Sequence, residues 1–360
     1  MPLAPQTLHQ KPSHAISVLM LCLLLFACNR APATTNKTPK LLTGKVEVTE
    51  EAKRILPKGT VIYYSKSARE PGTQYDRWAI EALDVHTGKT EEFITNQTSG
   101  IIDLIPYSIS PDKKHLLFGG KQKNGRNALF ELNLRTKKWH KIRDYVLAGH
   151  YSQDGKLIAM YYEPEPESFE EKPILRAGIL TRKGSIVETL PCNTTQCFHS
   201  NWYKKDIIFS EGGLIDSSEY GKLYLYSFKT KHLIEIFKTN RKNTTISRPQ
   251  TCNNKIYFLI KNKQKTYIPE IRRTSRKTSL IILQNNHRRE IKLNSAIGVD
   301  CIPDIKNHLL VTRLSPRLPK QNVELIRIDV LNIQKNKFNR ILAKPSSAIT
   351  RMAPVVQIIN

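Results

Sequence analysis

Short runs of β-branched and aromatic residues recur along this 360-residue chain at intervals of roughly fifty residues, and that repeat constrains the fold more than any other feature. The runs are VIYY from Val61, LLF from Leu116, LIAMYY from Leu157, IIF from Ile207, IYFLI from Ile256 and LLV from Leu309. Each is followed by a loop of variable length, a second strand, a polar turn and a third strand. This pattern is clearest as WAIEALDVHTGKTEEFI from Trp78, ALFELNLRTKKWHKI from Ala128, KLYLYSFKTKHLIEIF from Lys222 and LIRIDVLNIQKNKFNRIL from Leu325. Thr87-Gly88-Lys89, Arg135-Thr136-Lys137 and Lys229-Thr230-Lys231 supply the residue types that hairpin turns need. A further short strand precedes each run and ends in a turn. Ser110-Pro111-Asp112-Lys113 and Ser152-Gln153-Asp154-Gly155 carry type I turn chemistry, and Ile302-Pro303-Asp304 is a weaker third copy.

Four strands per repeat and six repeats predict an all-β chain folded as a six-bladed β-propeller. A sandwich pair or a seven-bladed ring would be the competing layouts, and no WD or kelch signature points to another propeller class. Repeat one lacks its inner strand, because Val61 follows directly on Pro57-Lys58-Gly59. The chain end from Ala348 to Val356 can supply it, closing blade one and removing the open edges that invite aggregation.

YSISPDKKHLLFGG from Tyr107 and YSQDGKLIAMYY from Tyr151 resemble the repeats of the TolB-type propeller family: an aromatic residue, Ser-Pro-Asp-Gly-Lys, then an aliphatic-aromatic strand. The resemblance covers roughly residues 55 to 360, with two repeats matching well, one partly, and three by strand pattern alone. It implies a binding platform within envelope machinery. The separate N-terminal α/β domain of TolB has no room here, and a lipid anchor is expected in its place.

From Ala15 to Cys28 the chain reads AISVLMLCLLLFAC, a signal-like run too short for a permanent span of a roughly 30 Å hydrocarbon core. Leu25-Phe26-Ala27-Cys28 resembles the bacterial lipoprotein processing box, which implies lipidation of Cys28. Asn29 follows where an Asp often retains such proteins at the inner membrane, so the resemblance implies an outer-membrane lipoprotein facing the periplasm. The expected organisation is a signal peptide over 1–27, a lipidated Cys with tether and short helix over 28–54, and the propeller over 55–360. Thr49 is the expected helix N-cap, with Glu50 and Glu51 in the first turn.

Besides Cys22 and Cys28 the chain holds Cys192, Cys197, Cys252 and Cys301. In an oxidising compartment an even count suggests disulfides. The close spacing of Cys192 and Cys197 favours a local staple and leaves Cys252 with Cys301, with four free thiols as the alternative.

The loops after each apolar run share one face of the ring, and two have opposite charge. Glu163, Glu165, Glu167, Glu170 and Glu171 against Lys172 give a net −4. Lys261, Lys263, Lys265, Arg272, Arg273, Arg276 and Lys277 against Glu270 give a net +6. These loops are the candidate partner-docking surface, although charge runs usually face water. The whole chain carries +26 and favours anionic surfaces: lipid phosphate, cell-wall carboxylate or acidic protein. Nucleic acid is not expected, since the basic residues form no aromatic-interleaved stripe. No Gly-x-Ser-x-Gly elbow, His-Glu-x-x-His, P-loop or Gly-x-Gly-x-x-Gly fingerprint occurs, so no cofactor and no catalysis are expected. A carboxylate pair at the channel mouth would be the one route to a hydrolase. The scattered histidines, among them His115, His150, His199 and His308, read as structural.

Overall fold

The computed structural model describes residues 42–69, 76–164, 174–192, 196–211, 221–239, 244–268, 273–285, 287–293, 296–303, 305–314, 326–343 and 355–359. Cys28, the signal-like run and the tether up to residue 41 lie outside the described residues.

Six antiparallel sheets follow one another along the chain. The chain begins with β1 (Thr43–Lys45), α1 (Glu50–Ile55), β2 (Thr60–Arg69), β3 (Asp76–Asp84), β4 (Lys89–Thr95) and the single turn α2 (Asn96–Ser99). Blade two is β5 (Ile102–Ile109), β6 (His115–Lys121), β7 (Asn127–Asn133) and β8 (Trp139–Asp144). Blade three is β9 (Val146–Tyr151), β10 (Leu157–Tyr162), β11 (Arg176–Thr181) and β12 (Ile186–Thr189). Blade four is β13 (Cys197–Tyr203), β14 (Asp206–Glu211), β15 (Lys222–Tyr226) and β16 (Leu233–Lys238). In blade five the inner strand is broken into β17 (Thr244–Ile246) and β18 (Gln250–Cys252), both paired with β19 (Lys255–Ile268), which is followed by β20 (Arg273–Gln284) and β21 (His287–Lys292). Blade six is β22 (Ala296–Cys301), β23 (His308–Leu314), β24 (Ile326–Asn332) and β25 (Lys337–Arg340), and β26 (Val355–Ile358) ends the described chain. The expected six-bladed propeller is the fold.

The apolar runs occupy the second strand of each blade, where both sheet faces meet a neighbour. Ile207 and Phe209 pack toward blade three while Ile208 packs toward blade five, so successive rather than alternate residues are apolar. The buried residues accordingly fall into six clusters, one for each contact between adjacent blades.

The two well-matched turns fold alike. Lys113 N–H donates to Ser110 O at 2.8 Å and Gly155 N–H to Ser152 O at 2.9 Å. In both, the Ser hydroxyl donates to the Asp carboxylate two residues on and accepts from the backbone N–H five residues on. The fourth turn position has a positive φ in each, 59° at Lys113 and 71° at Gly155.

Blade one closes as expected, with the pairing shifted toward the chain end. β26 runs antiparallel to β2 with Thr60 opposite Ile358 and Tyr63 opposite Val355, while residues 344–354 lie outside the described residues. Tyr63 Oη donates to Gln357 Oε1 at 3.0 Å, Gln357 Nε2 donates to Lys113 O at 3.0 Å, and Lys113 Nζ donates to Ile358 O at 2.8 Å. Ile359 N–H donates to Gly59 O. A Cβ at Gly59 would stand 1.8 Å from Ile359 O, and φ there is +77°, so the turn needs glycine twice over.

The N-terminal segment adds to this seam in a way the repeat does not announce. β1 pairs with the outer edge of β4, and Val48 bridges to Leu342 of blade six. Thr49 caps α1, accepting from Ala52 N–H at 3.2 Å, and Ala52 and Leu56 complete the cluster between blades six and one.

Of the loops expected after the apolar runs, those over Lys66 to Arg77 and Lys261 to Thr278 carry strand pairing in their described residues. Between Lys66 and Arg77, pairing continues from Lys66 opposite Ala79 to Arg69 opposite Asp76. Between Lys261 and Thr278, pairing resumes after a bulge with Lys265 opposite Arg276 and ends with Ile268 opposite Arg273. Thr266, Tyr267 and Thr274 are good strand formers within that basic stretch.

Candidate functional site

The inner strands β5, β9, β13, β18, β22 and β26 surround a cavity of about 680 Å³ on the propeller axis. Its mouth lies at the turns after those strands, where Pro111, Gln153 and Pro303 reach its rim. Inside stand Tyr107, Tyr151 and Trp202, the amides of Asn201, Gln250 and Gln357, and the side chains of His150 and Asp300. An antiparallel blade puts the loops after its second strand on the opposite face. The cavity and the described parts of the charged segments, Glu163 and strands β19 and β20, therefore belong to different faces.

Hydrogen bonds between neighbouring inner strands hold the wall. Tyr107 Oη donates to Leu147 O, Trp202 Nε1 to His150 O at 3.0 Å, Thr251 Oγ1 to Trp202 O at 2.6 Å and Asn201 Nδ2 to Pro249 O at 3.1 Å. The cysteines pair as expected: Cys192 with Cys197 in the connection from blade three to blade four, and Cys252 with Cys301 between the inner strands of blades five and six. The second bond fixes Asp300, whose neighbour it uses.

Blade five breaks its inner strand at Ser247-Arg248-Pro249, where proline offers no N–H to the ladder. This break brings Arg248 to the axis. Its guanidinium carbon lies 5.0 Å from the centroid of the Tyr107 ring in blade two, and its charge acts on His150, His199, Tyr161 and Asp300. Burial, helped by Arg248, pushes the His150 imidazole down to about 3. The same causes, with Lys261 also contributing, hold His199 well below the ordinary histidine value. Burial pushes the Asp300 carboxyl up to about 7, against the hydrogen bond from Cys301 N–H and the pull of Arg248. Asp300 is the one carboxyl among the described lining residues, so these do not assemble the pair a hydrolase would require. Among the described residues no group of His, Cys, Asp and Glu side chains is placed to hold a metal ion.

On the opposite face, Glu163 is half-buried just after β10, and its backbone N–H donates to Tyr145 O at 2.9 Å. Lys261 Nζ donates to Ile297 O at 2.9 Å, an engagement with blade six. Lys263, Lys265, Arg273 and Arg276 lie on the β19–β20 hairpin, whereas Glu165, Glu167 and Arg272 lie outside the described residues. His115 and His308 hold equivalent places, each with Nε2 against the amide of a facing asparagine, Asn133 and Asn332, at 3.4 and 3.0 Å. His150, Arg248 and Asp300 were not distinguishable in the sequence as an axial group. The one available signal was position: each lies on, or at the break in, an inner strand shortly before its turn.

No protein-family model and no curated protein matches the chain. Solved structures do match its fold. TolB from Acinetobacter baumannii superposes with a TM-score of 0.57 at 15% identity, covering 83% of this chain and 66% of that one. A putative TolB from Agrobacterium tumefaciens gives 0.51 at 13% identity, covering 83% and 99%. An acylaminoacyl peptidase from Pyrococcus horikoshii gives 0.48 at 12% identity, covering 78% and 50%. The chain thus spans about two thirds of the first structure and half of the third, and it has the propeller fold of the TolB structures.

Proposed function

We propose that this chain is a non-enzymatic scaffold of the bacterial cell envelope. In this reading it is an outer-membrane lipoprotein held through Cys28, and its propeller binds an envelope protein in the periplasm. The observation that carries the docking part is the blade-five arm. There the β19–β20 pairing continues past a bulge for four further register pairs, from Lys265 opposite Arg276 to Ile268 opposite Arg273. Lys265, Arg273 and Arg276 are thereby carried on paired strand instead of a free loop, with Lys263 in the bulge before them, and a preordered segment loses less entropy on docking. Glu163, the described start of the acidic segment, lies on that same face, which gives it two charge signs. Fold likeness to TolB adds a general expectation of a protein partner and nothing finer.

Two measurements test the reading. Labelled palmitate should enter the unaltered chain and not Cys28→Ser; equal labelling would remove the anchor. Residues 29–360 serve as bait for solubilised envelope, washed at about 0.15 M and then about 1 M salt, where the screening length falls from about 8 to about 3 Å. One protein retained through both washes, and lost when Lys263, Lys265, Arg273 and Arg276 are changed to Ser, supports the scaffold.

The net charge of +26 favours a second reading, in which the protein holds cell-wall or lipid polyanions by charge alone. Release of mixed acidic material at high salt, indifferent to the arm, would favour it.

A further inference from the structure

The axial cavity contains polar capacity that the fold does not use. His150 is 5% exposed and lines the cavity, and its ring makes no hydrogen bond among the described residues. A neutral imidazole carries one donor and one acceptor, and leaving such a ring dry and unpaired is costly. Asp300 stands in blade six, diametrically opposite blade three, and its carboxyl accepts from the backbone N–H of Cys301 at 2.8 Å. Arg248 supplies a positive field at the axis between them.

Charge decides what the cavity favours. A cation would enter the positive field of Arg248, whose guanidinium lies over the Tyr107 ring of the wall. An anion would meet that field, a ring nitrogen able to donate and, below neutral pH, a carboxyl that donates as well. The volume of about 680 Å³ falls within the usual range for small-molecule sites, and Tyr107, Tyr151 and Trp202 give it an apolar wall.

We propose that the axial cavity is a binding site for a small carboxylate, held across the propeller axis between His150 and Asp300 in the field of Arg248. This site lies on the face opposite the blade-five arm and stands independently of the scaffold reading.

Binding should take up protons. An arriving anion raises the affinity of the neutral His150 ring for a proton and disfavours ionised Asp300. Burial pushes the Tyr107, Tyr151 and Tyr161 hydroxyls up and the His199 ring well down, away from neutrality, and Lys113 at the rim is engaged as a donor to Ile358 O. Affinity should therefore weaken from about pH 6 to about pH 8, by up to about tenfold per pH unit for each proton linked.

The test titrates the full chain with sodium acetate and with N-acetylglycine at fixed ionic strength. Calorimetry in two buffers of different protonation heat counts the protons, and tryptophan fluorescence reports on Trp202 in the cavity wall. Saturable binding with proton uptake is expected, at least about tenfold weaker in Arg248→Gln and with a flattened pH dependence in Asp300→Asn. Preference for acetate would point to a free small acid, and preference for N-acetylglycine to the carboxyl end of a peptide. Absence of saturation by about 10 mM, which corresponds to binding weaker than about 3 kcal/mol, overturns the proposal. So does binding that ignores Arg248→Gln in a folded variant. Should that variant fail to melt cooperatively, the proton count on the unaltered chain decides, and binding without proton uptake overturns it.

Discussion

The contact between blades two and three and the contact between blades five and six solve the same problem by different chemistry. Blades two and three carry the clearest copies of the repeated turn, and they are joined by a polar network. Buried Glu131 on β7 accepts from Arg182 Nε at 2.6 Å and Nη2 at 2.9 Å, and from the Tyr151 hydroxyl of β9. Burial alone would raise the Glu131 carboxyl, but the guanidinium fork, the tyrosine and the charge of Arg182 outweigh it and hold it below the ordinary value. Blades five and six have eroded turns and a broken inner strand, and there the Cys252–Cys301 bond joins what turn chemistry does not. Both contacts are built on an apolar cluster; where the repeat keeps its turn, directional polar contacts add to that cluster, and where the turn is lost a covalent tie adds to it.

Both contacts depend on the ring being closed, so the most severe way to break the comparison is at the seam. Removing residues 355–360 should abolish the cooperative melt of the whole domain, because β2 loses its inner partner and Tyr63 and Lys113 lose Gln357 and Ile358. A truncated chain that melts like the full one would show that the six blades stand without closure. Next in size is the staple. Changing Cys252 and Cys301 together to Ser frees a loop of 49 residues and should cost about 4 kcal/mol in chemical denaturation. The same change at Cys192 and Cys197, separated by 5 residues, should cost about 2 kcal/mol. Equal losses would mean that strain or residual structure, not loop closure, sets the scale.

The polar contact is tested by Arg182→Met, which leaves the buried carboxylate short of its fork and should cost about 2 kcal/mol at neutral pH. Glu131 is held below its ordinary 4.5, so its contribution is present above that pH and is lost as pH falls through the lower folded value. The gap between wild type and Arg182→Met should therefore close on acidification, and a gap that persists at about pH 3 would assign the loss to packing of the arginine stem. The smallest effect sharpens the turn argument. Asp112→Ala and Asp154→Ala each remove equivalent bonds and should each cost about 1 kcal/mol, within about 0.5 of each other.

Much of this molecule is written locally. The apolar runs, the Ser-Pro-Asp and Thr-Gly-Lys turns, the Thr49 cap and the missing inner strand of blade one are patterns within a few residues, and strand period and turn geometry act over the same distance. The sequence therefore determined the propeller and its closure by the chain end, though not the register of the closing strand, and its cysteine spacing anticipated both disulfides. What it did not disclose lies between distant segments. The extension of β19 and β20 was hidden because charged residues lower the look of a strand without preventing backbone pairing. His150, Arg248 and Asp300 come from blades three, five and six, and no periodicity in one segment marks residues that meet only when the ring closes. Their burial and mutual field, and hence the chemistry of the axis, were decided by the tertiary structure alone, because desolvation and charge depend on distances through space.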